Sequence, residues 1–109
     1  METLIKELIE AANAFDTDGF LEKFHLDAVL DDPSVGQKFV GHQGIRTYFT
    51  NYFIGYNTQT NIVKFKKTGE NTAHLEVWFT GNFPGGEVGG EFDFEFGDSK
   101  IISLKADLT

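Results

Sequence analysis

The C-terminal part of the chain, TAHLEVWFTGNFPGGEVGGEFDFEFGDSKIISLKADL (residues 72–108), decides the fold. Apolar and polar residues alternate through it, and this period of two is typical of half-buried β-strands. Turn sequences separate the alternating runs: PGG at residues 84–86 and GDS at residues 97–99, with TGEN at residues 68–71 before them. From Thr58 onward the sequence therefore predicts four strands joined as successive hairpins.

The alternation also assigns the two faces of the predicted sheet. One face is apolar and is expected to be covered by helices; it consists of Val63, Phe65, Ala73, Leu75, Val77, Phe79, Val88, Phe92, Phe94, Phe96, Ile102, Leu104, Ala106 and Leu108. The other face is polar except for one tryptophan; it carries Lys64, Lys66, His74, Glu76, Trp78, Glu91, Asp93, Glu95 and Lys105.

Two helices are predicted at the start of the chain. Apolar residues recur at helical spacing from Leu4 onward, which predicts an amphipathic helix that ends near Phe15. Asp16 or Thr17 can cap a second, shorter helix. His25 is expected at the end of that helix, where an imidazole complements the negative end of the helix dipole.

Two short strands and a third helix follow. The β-like pattern between residues 27 and 40 is broken by Pro33 and Gly36, which indicates a turn between two strands. The third helix carries one aromatic-rich stripe, in which residues recur in steps of three and four: Ile45, Tyr48, Phe49, Tyr52, Phe53 and Tyr56. Gly55 is a natural end for it, so Tyr56 can lie beyond the helix.

Length and composition bound the class of protein. With 109 residues the chain is predicted to be a single domain, 1–109, and its 15% aromatic content predicts an aromatic-lined cavity. A net charge of -8 argues against nucleic acid and anionic membranes as partners. The sequence has no cysteine, and its acidic, amphipathic N-terminus is unlike a signal peptide. We therefore expect a cytoplasmic protein that does not bind membranes.

Three segments resemble the SnoaL-like and ketosteroid-isomerase-like branch of the nuclear transport factor 2-like superfamily. They are NAFDTDGFLEKFHLDAVLDDPSVG (13–36), FVGHQGIRTYF (39–49) and FEFGDSKIISLKA (94–106), and their order and spacing carry the similarity. The resemblance implies an α+β, cone-like fold, in which a curved, cystatin-type antiparallel sheet packs on three N-terminal helices. It also implies a pocket between sheet and helices, and frequent homodimerisation through the outer sheet face.

Asp32 is the strongest candidate for a catalytic residue. LDDPSVG (30–36) resembles the isomerase segment in which the Asp before Pro is the general base for a proton α to a carbonyl. Strand parity agrees, because Asp32 shares a face with Ala28 and Leu30, which are apolar. A carboxylate in an apolar cavity is also more basic than one in water. The alternative is that Asp32 only caps the turn at Pro33.

The other catalytic groups of such isomerases do not carry over. Their oxyanion hole is made by a Tyr and a protonated Asp; by the resemblance these positions fall on Leu8 and Phe92, which cannot donate. Tyr48, Tyr52 or Tyr56 could supply a hydroxyl, although helical tyrosines usually bury the ring and send the hydroxyl to the rim. His42, just before the third helix, is the other candidate donor, or else an ordinary loop residue.

A metal site is not expected. His25, His42 and His74 lack a tight ligand spacing such as HExxH, and no cysteine is available. No other cofactor is indicated by the sequence.

The remaining assignments concern the two faces of the sheet. Phe79, Phe92 and Phe94, with Tyr48 and Tyr52, are predicted to line the ligand pocket, although such residues can equally fill a core. On the outer face, Trp78 is predicted to anchor a dimer interface that includes His74; the alternative is an isolated surface tryptophan.

Two functions fit these observations. The protein either binds a small hydrophobic, carbonyl-bearing molecule and catalyses a proton transfer, as in isomerisation, cyclisation or dehydration, or it is a non-catalytic binding or dimerisation module. In the first case Asp32 is the base, and a tyrosine or His42 is the donor. The missing oxyanion donors favour the second case.

Overall fold

A computed structural model describes all residues from Met1 to Thr109 and has an α+β architecture. Its helices and strands are α1 (Glu2–Asn13), α2 (Thr17–Glu22), β1 (Phe24–Asp32), β2 (Gln37–Val40), α3 (Gly41–Phe49), a π-helical turn (Thr50–Ile54), β3 (Gln59–Lys67), β4 (Thr72–Thr80), β5 (Glu87–Gly97) and β6 (Lys100–Leu108). The predicted order of two helices, two strands, a third helix and a four-strand meander is confirmed. β1, however, is not short: it begins at Phe24 and has nine residues, as β3, β4 and β6 do. None of the helices is both long and apolar enough to cross a bilayer.

All six strands form one sheet in the order β2-β1-β6-β5-β4-β3. Neighbouring strands are antiparallel except for β1 and β6, which pair in parallel. β1 therefore lies beside β6 and extends the four-strand meander at that edge. Register shifts in three of the strand pairs indicate bulges, which bend and twist a sheet.

The helices cover one face of this sheet and form a single hydrophobic core with it. α1 contributes the predicted stripe, with Ile5, Leu8, Ile9 and Ala12 buried. Asp16 is the N-cap residue of α2, just before its first residue. Its Oδ1 accepts a hydrogen bond from the backbone N–H of Gly19 at 3.0 Å, so of the two predicted caps Asp16 is confirmed. The side chain of Asn13 links the end of α1 to β3: its Nδ2 donates to the carbonyl oxygen of Thr60, and its Oδ1 accepts from the backbone N–H of Thr60.

One prediction about the first helices is confirmed and one is wrong. α1 ends at Asn13, close to Phe15, whose left-handed φ of 54° lies outside the α-helical region. His25 does not cap α2: that helix ends at Glu22, and His25 is the second residue of β1.

Bulges also change two of the predicted inward positions. Val63 is 64% exposed, because the register between β3 and β4 shifts between Ile62 and Lys64. In β6, Ile101 is fully buried instead of Ile102, because the register with β5 shifts next to Phe96. An inserted residue reverses the sides of those before it, so strict alternation fails across a bulge.

Gly90 in β5 provides room for an aromatic ring that matters for the site. A Cβ at Gly90 would overlap the ring of Phe79. We expect Gly90→Ala to displace this ring and to lower the free energy of unfolding, measured in urea, by about 1–3 kcal/mol. Gly97→Ala in the same strand is the control, since its methyl group would meet only Ile102 at 3.2 Å. Equal losses in both variants would contradict the role of Phe79.

Candidate functional site

A cavity of about 330 Å³ opens at one end of the molecule, between the helices and the sheet. The end of β1, the end of α3, the hairpin between β4 and β5, and the end of β6 all contribute to it. Its lining is mostly apolar and aromatic: Asp32, Ser34, Val35, Tyr48, Tyr52, Phe53, Tyr56, Thr58, Phe79, Phe83, Pro84, Val88 and Leu108. The volume is at the lower end of the roughly 300–1,000 Å³ found in small-molecule sites.

Asp32 is the one carboxylate in this lining, and only 6% of its surface is exposed. The parity argument is confirmed, because Ala28, Leu30 and Asp32 are all buried on the same side of β1. β1 ends at Asp32, so its side chain points inward at the position where the cavity begins.

Three hydrogen bonds hold the Asp32 carboxylate. Tyr48 donates its hydroxyl to Oδ2 at 2.7 Å. Ser34 donates both its hydroxyl, at 2.5 Å, and its backbone N–H, at 2.9 Å, to Oδ1. One oxygen of Asp32 therefore caps the turn at Pro33, as the alternative interpretation expected, and the other accepts from a tyrosine within the cavity lining.

Tyr48 is a buried, neutral donor. Burial, followed by the negative charge of Asp32 and the hydrogen bond to it, raises the pKa of Tyr48 well above its ordinary value of 10.0. The expectation that a helical tyrosine sends its hydroxyl to the rim is wrong for Tyr48, because the hydroxyl is directed at the buried carboxylate.

The π-helical turn after α3 brings further aromatic rings to the cavity. Two backbone hydrogen bonds join residues five apart, as in a π-helix: the N–H of Gly55 donates to the carbonyl oxygen of Thr50, and the N–H of Thr58 donates to that of Phe53. Tyr52, Phe53 and Tyr56 all line the cavity, and they belong to one stripe of residues at helical spacing. Tyr56 lies beyond the helical residues, as expected.

Three predicted site residues are not brought to the cavity. His42 is engaged elsewhere, with Nε2 at 2.8 Å from the carbonyl oxygen of Phe24. Phe92 and Phe94 are buried in the core and do not line the cavity. Tyr48, Tyr52 and Phe79 do line it. No group of three or more His, Asp or Glu residues is placed to hold a metal ion.

Several cavity residues were not singled out in the sequence. Ser34 is the most important, and the signal for it was available, since a Ser two residues after an Asp commonly forms a turn with it. Leu108 is another: the alternation assigns it to the apolar face of a strand without a prediction for the cavity, and its place there depends on where β6 ends.

On the outer face of the sheet, Trp78 and His74 lie where alternation predicted. Trp78 is 41% exposed, and its indole N–H donates to Glu87 at 3.0 Å. His74 is surrounded by carboxylates: Nδ1 lies 2.7 Å from Asp93, and Nε2 lies 3.7 Å from Glu76 and 4.0 Å from Glu91.

The raised pKa of Tyr48 predicts a loss of stability at alkaline pH. The unfolded chain releases this phenolic proton near pH 10, whereas the folded chain keeps it to higher pH. The folded state thus binds more protons above pH 10, so the free energy of unfolding falls as the pH rises, by up to about 1.4 kcal/mol per pH unit. Urea unfolding should be measured between pH 8 and 11 for the native chain and for Tyr48→Phe. The difference between their free energies of unfolding should become smaller above pH 10. A constant difference would contradict this account.

Comparisons with known proteins identify the family of the chain and proteins of similar fold. The sequence profile of the SnoaL-like domain matches residues 5–99. A search among curated proteins finds no significant match. A proposed polyketide cyclase from Sinorhizobium meliloti superposes with a TM-score of 0.87 at 23% identity, over 95% of this chain and 93% of that one.

Two further solved structures have the same fold. A proposed ketosteroid isomerase from Kribbella flavida superposes with a TM-score of 0.85 at 14% identity, over 98% of this chain and 76% of that one. A Mycobacterium tuberculosis protein in complex with estradiol-17β-hemisuccinate gives a TM-score of 0.81 at 15% identity, over 95% of this chain and 89% of that one. At these identities the similarity establishes the fold, which is nuclear transport factor 2-like.

Proposed function

Because the chain belongs to the SnoaL-like domain family, we propose that its cavity binds a small hydrophobic carbonyl compound and that Asp32 transfers a proton α to that carbonyl. The observation that carries the proposal is the buried Asp32 carboxylate in an otherwise apolar, aromatic cavity. Tyr48 orients this carboxylate through the hydrogen bond to Oδ2. The reaction class is isomerisation, cyclisation or dehydration.

The hydrogen bonds of Asp32 leave room for a substrate proton. A carboxylate has about four lone-pair sites, two on each oxygen. Ser34 uses two on Oδ1, and Tyr48 uses one on Oδ2. The remaining site on Oδ2 is available to accept a proton from carbon, at an oxygen whose position is already fixed.

The developing enolate needs a donor other than those of the steroid isomerases. Leu8 and Phe92, which stand at those positions, are buried in the core and have no polar side-chain atom. Tyr52 and Tyr56 line the cavity, and neither hydroxyl donates to another residue of the chain. We assign the stabilisation of the substrate oxygen to one of these two hydroxyls.

The cavity favours an apolar substrate. Its volume is about 330 Å³, and its polar groups are limited to Asp32, Ser34, Thr58 and the tyrosine hydroxyls. The neighbours named as a polyketide cyclase and as a steroid complex support a hydrophobic, ring-containing compound.

A non-catalytic binding function is the second candidate. Three hydrogen bonds already engage the Asp32 carboxylate, which could then serve as a fixed acceptor for a ligand hydroxyl or amine. In that case the protein binds its ligand without exchanging a proton on carbon.

Proton exchange distinguishes the two candidates. The probe is 2-tetralone, a two-ring ketone with acidic α-protons, incubated with the protein in D₂O and followed by proton NMR. We expect the protein to accelerate the loss of the α-proton signals well above the rate in buffer. Binding of 2-tetralone without any acceleration would support the binding function and overturn the catalytic one.

We further propose that the protein is a cytoplasmic homodimer formed through the outer sheet face, with residues 1–109 as one domain. The exposed indole of Trp78, held by Glu87, supports an interface there. The absence of cysteine from the sequence is compatible with a reducing compartment.

The dimer proposal predicts the effect of one substitution. Trp78→Lys should shift the protein from dimer to monomer in sedimentation velocity, because it replaces the apolar anchor by a charge. Trp78→Phe is the control and should leave most of the protein dimeric. A dimer unchanged by Trp78→Lys would place the interface elsewhere.

A further inference from the structure

The Asp32 carboxylate in the cavity lining has no cationic side chain as a partner. Asp32 is the only charged residue of the lining, which contains no Lys, Arg or His. It takes part in none of the ion pairs of the structure, all of which involve other carboxylates. A buried carboxylate is usually paired with a cation as well as hydrogen-bonded, so this site is electrostatically incomplete.

The charge of the whole chain reinforces this local asymmetry. A net charge of -8 gives the chain as a whole a negative field, which attracts cations and repels anions. The three donors around Asp32 satisfy its oxygens without adding positive charge, since Tyr48 and Ser34 are neutral. A ligand carboxylate would therefore meet an unfavourable field beside Asp32.

The aromatic rings around Asp32 form a second feature that suits a cation. The ring centroids of Tyr48 and Tyr52 are 5.3 Å apart, and those of Tyr52 and Tyr56 are 6.5 Å apart. In each pair the ring planes are tilted by about 40°. Phe53 and Phe79 meet edge to face at 6.1 Å, as do Tyr56 and Phe83 at 5.9 Å. All six of these rings line the cavity, and aromatic rings attract ammonium groups through their negative faces.

From the unpaired carboxylate and the ring of aromatic residues, we propose that the cavity selects organic ammonium compounds, with the cationic nitrogen beside Asp32 and the apolar part among the aromatic rings. This inference rests on the proposal that the cavity is a ligand site, and it is independent of catalysis.

The test compares a cation with a neutral compound of the same shape. Benzyltrimethylammonium and neopentylbenzene differ only in the replacement of N⁺ by carbon, and phenylacetate supplies an anion. Binding is measured by ligand-detected NMR to the native chain, Asp32→Asn and Asp31→Asn. Asp31 is the matched control, because it precedes Asp32 in β1 and its side chain lies on the other side of the strand.

We expect Asp32→Asn to weaken benzyltrimethylammonium binding by about tenfold or more while changing neopentylbenzene binding less than about twofold. Unchanged binding of the hydrocarbon also shows that the cavity of the variant is folded. Asp31→Asn should change neither affinity, and phenylacetate should bind most weakly. In the native chain the N-methyl signals should move upfield, because they lie against aromatic faces.

Two results would overturn the inference: a cation affinity that Asp32→Asn leaves intact, or phenylacetate binding as tightly as the cation. Its failure is separable from failure of the catalytic proposal. Accelerated exchange of 2-tetralone without binding of benzyltrimethylammonium would reject only the preference for cations. Binding of the cation without accelerated exchange would support the preference and reject catalysis.

Discussion

Asp32→Asn is expected to slow the exchange of α-protons in 2-tetralone by about 100-fold or more, which is the contribution typical of a positioned general base. The amide of Asn has nearly the shape of the carboxylate, so it keeps the turn at Ser34 and the contact with Tyr48. It cannot, however, accept a proton from carbon. The rate measured by proton NMR in D₂O should therefore fall towards that of buffer, while the variant remains folded.

Asp31→Asn is the matched control for this experiment. It makes the same chemical change one residue earlier in β1, where the register pairs the residue with Lys38 and Lys105 on the neighbouring strands. We expect native exchange rates from it. Equal rates for the native chain and Asp32→Asn would remove Asp32 from the reaction.

Tyr48→Phe is expected to lower the free energy of unfolding at pH 7 by about 1.5–3 kcal/mol. The ring stays buried, but Oδ2 of Asp32 loses the donor at 2.7 Å and keeps its burial. An acceptor left without a partner bears the cost of desolvation, and that cost is larger when the acceptor is charged. Urea unfolding measures the change.

Tyr52→Phe provides the control for Tyr48→Phe. It removes a hydroxyl from the same helical segment, and that hydroxyl makes no hydrogen bond within the chain. We expect it to change the free energy of unfolding by less than about 0.5 kcal/mol. A loss of equal size in both variants would show that the stability does not depend on the bond to Asp32.

The meander is the part of the fold that the sequence alone predicts. Period-two alternation and explicit turns indicate it, and they are local properties that a single sequence displays. Parity also places Asp32 on the same side of β1 as Ala28 and Leu30, and that side is buried. Val29 on the opposite side is apolar too, so parity alone does not decide the inward direction; the resemblance of LDDPSVG to the isomerase segment supports it.

The partners of Asp32 and the shape of the cavity depend on contacts that the sequence does not display. The hydroxyl of Tyr48 reaches Asp32 across sixteen residues, and its direction follows from how α3 crosses β1. The bulges each shift the register by one residue, which moves Val63 and Ile101 away from regular alternation. His42 was misplaced for a similar reason, since its partner is a backbone carbonyl of β1.

The most direct test of the central claim is a crystal structure of the protein with 2-tetralone. The account predicts that the ketone occupies the cavity, with its α-carbon about 3–3.5 Å from Oδ2 of Asp32, the separation of a reactive complex. It also predicts that the ketone oxygen faces Tyr52 or Tyr56. A ketone bound outside this cavity, or bound with its α-carbon turned away from Asp32, would contradict the account.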